Sequence, residues 1–216
     1  FLYFMRATIY YNQHLYKEAI EDYSTSLSLM DNIEDIACSN IYNSRGLALA
    51  ESSQYEKALI DYEKAIKLNP DIAIYYYNRS LCFGALERIE DALCDGKRAI
   101  DLDPSNSSSY FNNGVLLFNK RDFKNALPYF EKASQLNHFR GRVFTILVNS
   151  LLTQPNDREE FPNNPQIQEI AIASIAFQIS NTFSELLEAI SYFPIMKDND
   201  FIQMIEEVIN NCIEPN

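Results

Sequence analysis

Three consecutive windows of the chain, 39–72, 73–106 and 107–140, superimpose at a spacing of 34 residues. Each window carries an aromatic residue, a small residue four positions on, and an alanine twelve positions beyond that: Tyr42, Gly46 and Ala58; Tyr76, Ser80 and Ala92; Tyr110, Gly114 and Ala126. A period of this length marks a supersecondary unit that recurs and stacks on its own copies. Residues four apart share one face of a helix, so the aromatic and the small side chain lie on one stripe. Two antiparallel helices approach closely only where both lack bulk. The small residue on each is therefore expected at their crossing. Tyr62 and Phe130, then Ala65, Ala99 and Ala133, continue the stripe of the second helix, and Pro70 and Pro104 end it. Proline lacks the backbone donor and pushes the preceding residue out of the helical region. Each window reads as a helical hairpin.

These residues give the resemblance to the tetratricopeptide repeat family, with spacing and residue size agreeing along each window. A fourth, incomplete copy precedes them over about 1–33, with Tyr3, Ala7, Ala19, Tyr23 and Ser26 in the corresponding places. It is offset by 39 residues, so five extra residues lengthen the linker around Asp31 to Ile36. In the last copy His138 stands where proline is expected. The resemblance implies an all-α, right-handed α-solenoid of antiparallel hairpins over 1–138, followed by an acidic helical capping region over 139–216.

With only 5 glycines and 8 prolines, and 47% hydrophobic residues, the chain can support a continuous helical core. A single hairpin cannot bury its own apolar face, so the stack holds through neighbours. The absence of an initiator methionine, and an opening inside a repeat, read as a piece of something longer.

Beyond 137 the pattern changes. Residues 141–153 read as one more helix, and 154–166, with three prolines, as a loop. The stretch 167–180 is apolar nearly all round, yet too short and too polar to span a bilayer, so a buried helix is expected. Two further helices are expected over 182–192 and 199–211, capped by Asn181 and Asp198. Together they would close the open end of the stack.

Charge follows the same division. Residues 143–216 hold 11 acids and 2 bases, whereas 1–142 hold 19 acids and 16 bases. This balance repels phosphate backbones and argues against nucleic acid as a partner. The tail reads either as an acidic surface for a basic partner or as a solubilising face.

One regularity inside the repeats concerns ions. Arg6, Arg45 and Arg79 occupy one place on the first helix, and Asp22, Asp61 and Asp95 one place on the second. In the fourth copy both change together, to Asn113 and Tyr129. Either charge alone would be left uncompensated, so each Arg is expected to pair with the Asp of its own hairpin; coincidental surface charges are the alternative.

The usual catalytic constellations are absent from the sequence. It has no phosphate-cradling glycine loop, no paired-histidine helix motif and no serine elbow. His14 is expected in a turn and His138 in a linker, both facing solvent rather than a metal. No enzyme activity, cofactor, metal or small-molecule substrate is implied. Cys38, Cys82, Cys94 and Cys212 show neither pairing nor ligand spacing. Cys82 and Cys94 are read as small apolar fillers of the hairpin core. A reducing compartment, cytoplasmic or nuclear, fits, and the glycosylation triplets at Asn78 and Asn106 read as chance, the first lying inside a helix.

What the resemblance implies about function is a concave surface lined by the first helix of each hairpin. Helical spacing puts Phe4, Asn43, Tyr77 and Phe111 in one row and Ser44, Asn78 and Asn112 in the next. Carboxamides both donate and accept, so Asn78 and Asn112 could clamp a peptide main chain, with Tyr77 and Phe111 supplying apolar area. The alternative is that these are ordinary inter-repeat residues, with Tyr77 and Phe111 partly core. The expected role is a non-catalytic module that docks a protein or peptide partner, as scaffold or adaptor, without membrane insertion. The residues Tyr76, Asn78, Arg79, Ser80, Asp95 and Gly96 also resemble the middle repeat of co-chaperones that hold the carboxyl terminus of heat-shock chaperones. There, however, cations grip two carboxylates. Here Asn43, Leu47, Ser108 and Asn112 stand in their places, leaving that role, and a scaffold acting through the acidic tail, as the other readings.

Overall fold

The computed structural model describes residues 2–30 and 36–153. Every regular element among the described residues is an α-helix. In chain order the helices are α1 (Leu2–Asn12), α2 (Tyr16–Ser28), α3 (Ala37–Glu51), α4 (Tyr55–Leu68), α5 (Ala73–Ala85), α6 (Ile89–Leu102), α7 (Ser107–Asn119), α8 (Phe123–Gln135) and α9 (Phe139–Thr153). The lengthened linker, the proline-containing loop and the three C-terminal helices expected from the sequence, and with them the capping region beyond Thr153, lie outside the described residues. The chain forms two compact units that meet between Leu116 and Leu117, within α7. The repeat register instead places its boundary at 138.

In the first unit the pairs α1/α2, α3/α4 and α5/α6 pack as hairpins, and successive first helices touch. The alanines at the expected crossings, Ala19, Ala58 and Ala92, are fully buried. Ser80 and Ala92 meet directly, the Ser80 hydroxyl donating to the Ala92 carbonyl at 2.8 Å. At Gly46 the contact differs from expectation. A Cβ there would lie 2.8 Å from the Tyr62 ring, so the missing side chain makes room for that ring rather than for Ala58. Tyr62 is fully buried as a result.

The turn within each hairpin is built without glycine. His14, Ser53 and Glu87 adopt left-handed φ of 60°, 60° and 59°. Each closes its helix by a pair of reverse bonds, as in His14 N–H to Tyr11 C=O and Leu15 N–H to Tyr10 C=O, both 2.9 Å. This is the Schellman pattern, which satisfies carbonyls the helix leaves open. The linkers between hairpins use proline instead. Asn69 and Asp103, which precede Pro70 and Pro104, are held at φ −146° and −136°, the extended backbone that a following proline favours.

Leu2, Met5 and Ile9 on α1 are 81%, 50% and 55% exposed. The residues in register with Leu2 and Ile9 one hairpin later, Ile41 and Ala48, are buried in a cluster with Tyr23 and Leu27 of α2.

The second unit, as far as it is described, centres on α8 and α9. Phe118, Phe123, Phe130 and Phe144 form an aromatic cluster, with Phe130 and Phe144 rings 4.8 Å apart. A Cβ at Gly141 would lie 2.7 Å from the Ala133 Cβ, which brings the two backbones together. The connection between them has the form of an intra-hairpin turn. Asn137 is left-handed at φ 62°, and the N–H groups of Asn137 and His138 return to Ser134 and Ala133 at 2.9 Å. Where proline would have opened a linker, Asn137 and His138 close a hairpin. His138 is half-buried rather than turned fully to solvent, and its Nδ1 accepts the Gly141 N–H at 3.1 Å. Burial, and secondarily Arg140, lowers its pKa below 6.5.

Candidate functional site

A charged pair ties each of α1, α3 and α5 to the second helix of its hairpin. Arg6, Arg45 and Arg79 meet Asp22, Asp61 and Asp95 through two parallel bonds each, from Nε and Nη2, at 2.5–2.9 Å. The pairing expected from sequence holds in all three copies. Asp61 and Asp95 keep 3% and 8% side-chain exposure, and Arg45 adds a bond to Ser24 of the preceding hairpin at 2.9 Å. Hydrogen bonding to the aspartates raises the Arg45 and Arg79 pKa, and the Arg6 bond lowers that of Asp22. Tyr3, Tyr42 and Tyr76, three residues before each Arg, lie with ring centres 5.3–5.8 Å from its guanidinium carbon. Such contacts pin the planar guanidinium on its second side.

In the fourth copy Asn113 is fully buried, and neither its Nδ2 nor its Oδ1 has a hydrogen-bond partner among the described residues. A Cβ on Gly96 would lie 1.9 Å from its Oδ1. Gly96 holds the register position that Tyr62 fills one repeat earlier, and the carboxamide occupies space the missing ring leaves.

With Arg79 and Ser80 turned toward α6, a period of 3.6 residues per turn places Ile74, Asn78, Leu81 and Ala85 on the opposite face of α5. The corresponding residues are Asn40, Ser44, Leu47 and Glu51 on α3, and Ser108, Asn112 and Val115 on α7. This inner face contains no lysine or arginine and one carboxylate, Glu51. Ile74 and Leu81 are each 41% exposed.

The sequence-predicted residues take different places on it. Asn78 is 4% exposed, and its Nδ2 donates to Asn43 Oδ1 of α3 at 2.9 Å. Asn112 Nδ2 donates to Ser80 Oγ at 2.9 Å, which continues to the Ala92 carbonyl and ties α7, α5 and α6 together. Tyr77 is half-buried and shares a hydrogen bond with Ser108. Burial, the larger influence, raises its pKa, so the hydroxyl stays protonated. The asparagine ladder thus spends donors between neighbouring first helices. Phe4 tilts onto Tyr23 of α2, ring centres 5.7 Å apart, and joins the edge of the core. Ser44 and Phe111 are half-buried. Sequence reasoning missed Ile74 and Leu81, although their spacing of four before and three after Asn78 puts them on its face. It also gave Tyr75 no role. Tyr75 is the buried ring, donating to Asn40 Oδ1 at 2.7 Å and lying 3.0 Å from Ser39 Oγ.

Cys94 corrects another expectation. It is exposed, while Cys38 and Cys82 are buried and Cys212 lies outside the described residues. Leu93, its neighbour, takes the core position instead. No group of three or more His, Cys, Asp or Glu among the described residues could hold a metal. None of the described helices is long and apolar enough to cross a membrane.

Stacked antiparallel hairpins whose first helices present a continuous inner face define an α-solenoid. The particular solenoid is that of the tetratricopeptide repeat: residues 39–72 and 107–137 match profiles of that family, and the hairpins between and before them follow the same register. Among solved structures, the chain is similar to the repeat domain of OM64 from Arabidopsis, with 28% identity and TM-score 0.51 over 53% of this chain and 96% of that one. It is also similar to YrrB, described as a repeat protein with an unusual peptide-binding site, at 16% identity and TM-score 0.61 over 95% of this chain and 90% of that one. The first repeat domain of Spaghetti, bound to an HSP90 peptide, shows 20% identity and TM-score 0.53 over 56% and 97%. A sequence comparison with curated proteins found no match.

Proposed function

We propose that the protein is a non-catalytic interaction module that docks a protein or peptide partner on the inner face of α3, α5 and α7, as a scaffold or adaptor. The observation that carries this reading is the exposed pair Ile74 and Leu81 on a face otherwise stiffened by the Asn78–Asn43 and Asn112–Ser80 bonds. Preorganised side chains lose little freedom when a partner binds. Peptide binding by YrrB and by the Spaghetti domain, on the same fold, supports it. The reading extends to a partner that is neither nucleic acid nor a small molecule, and to a reducing, cytoplasmic or nuclear setting.

A co-chaperone grip on two carboxylates receives no support from this face. Without lysine or arginine on it, bound carboxylates would be desolvated unpaired, at about several kcal/mol per ion. Affinity capture with the full chain tests the proposal. Ile74→Glu with Leu81→Glu is expected to lose the partner, while Glu206→Gln with Glu207→Gln in the acidic tail keeps it. The reverse pattern would place the binding surface on the tail.

A further inference from the structure

Resting on that reading of the inner face, we infer that its partner is an amphipathic α-helix with a neutral or basic polar side, not an extended or acid-terminated peptide. An extended peptide brings a backbone N–H and C=O at every residue, and each must find a partner when covered. The inner face has few groups to offer. Asn78 donates to Asn43 Oδ1, Asn112 donates to Ser80 Oγ, Asn40 Oδ1 accepts from Tyr75, and the Tyr77 hydroxyl is shared with Ser108. Between them stand aliphatic side chains, the exposed Ile74 and Leu81 and the half-buried Leu47. A helix satisfies its own backbone and offers only a stripe of side chains, so it covers this strip with fewer orphaned polar groups than an extended chain.

Charge sets the sign of the partner's other face. The strip ends at the exposed carboxylate of Glu51, carries no cation, and lies within residues 1–142, which hold 19 acids and 16 bases. Lysine or arginine on the flank of the helix complements this field, and aspartate or glutamate is repelled by it.

Selection from a display library of random 20-residue peptides with free carboxyl termini, on the full chain, tests the inference. Ile74→Glu/Leu81→Glu serves for counter-selection, and Leu81→Ala as a milder second variant whose fold circular dichroism confirms. The recovered peptides should share apolar residues at i, i+4 and i+7 with a net charge that is zero or positive. They should lose about a hundredfold or more in affinity when a proline is placed centrally. A pool that needs Ile74 and Leu81 but tolerates proline, or is acidic at its terminus, overturns the helical partner and leaves the inner-face reading standing. A pool that binds wild type and the double variant alike, or an empty pool, overturns both.

Discussion

Replacing Arg45 by methionine removes the guanidinium and leaves the Asp61 carboxylate in place at 3% side-chain exposure. Three bonds go with it: two to Asp61, at 2.7 and 2.8 Å, and one to Ser24 at 2.9 Å. The dominant cost is the carboxylate left without its counter-ion, because water cannot reach it from the buried side. Breaking a buried pair in this way costs about 3–5 kcal/mol, or roughly two to three and a half decades in the unfolding equilibrium. Removing both charges, with Arg45→Met and Asp61→Leu together, restores most of this, since the pair gains little over well-packed apolar groups once neither ion needs solvating. Urea denaturation followed by circular dichroism, run on all four corners of the cycle, measures the coupling. The N-terminal copy is an internal control. The Asp22 carboxylate is 9% exposed against 3% for Asp61, and the Arg6 side chain that covers it is 54% exposed against 19% for Arg45, so water reaches Asp22 more readily once its guanidinium is gone and Arg6→Met must cost less. Equal losses at both sites, or a double variant as unstable as the sum of its singles, would refute the argument that burial makes these pairs obligatory.

Three further outcomes follow from individual sites. Asn113→Leu keeps the volume and removes two buried, unpartnered polar atoms, so stability should rise by about 1 kcal/mol; a loss in the same urea assay would mean that the carboxamide is hydrogen-bonded after all. A thiol reagent on the native protein should label Cys94 and spare Cys38 and Cys82 until unfolding, the Cys82 thiol also being pushed up to about 12 by burial. Peptide mapping by mass spectrometry reads this, and early labelling of Cys82 would contradict it. The folded His138 pKa lies below 6.5, so the folded state favours the neutral ring. Its contribution is present above that pH and is lost as pH falls through the folded value, when Nδ1 can no longer accept the Gly141 N–H. Stability followed down to pH 5 should fall more steeply for wild type than for His138→Gln; parallel curves would remove the cap from the account.

The sequence made the hairpins and the ion pairs legible for the same reason. A 34-residue register turns a spatial relation into a repeated one, and Arg and Asp change together where the pair is lost. What stayed hidden depends on small rotations and on neighbours. Tyr75 and Tyr76 differ by about 100° around the helix, and which of them is buried is decided by the position of Ser39 and Asn40 on α3. The same rotation separates buried Leu93 from exposed Cys94. That Asn78 lies on a first helix is legible in the repeat, but that its donor is spent on Asn43 requires the spacing between first helices, which no single repeat encodes. The left-handed turns at His14, Ser53 and Glu87 lack glycine and so gave no compositional cue. The hairpin formed by α8 and α9 was obscured because His138 differs from proline in the property that mattered, its backbone N–H.

Site-specific photo-crosslinking of the library-selected peptide to the full chain, with a benzophenone side chain placed in turn at Leu81, at Ile74 and at Ile60, maps where the partner docks. All three positions are exposed, at 41%, 41% and 54%, and Ile60 lies on the second helix α4. Adducts are expected from positions 74 and 81 and none from 60. Adducts from position 60 with none from 74 or 81 would contradict docking on the inner face.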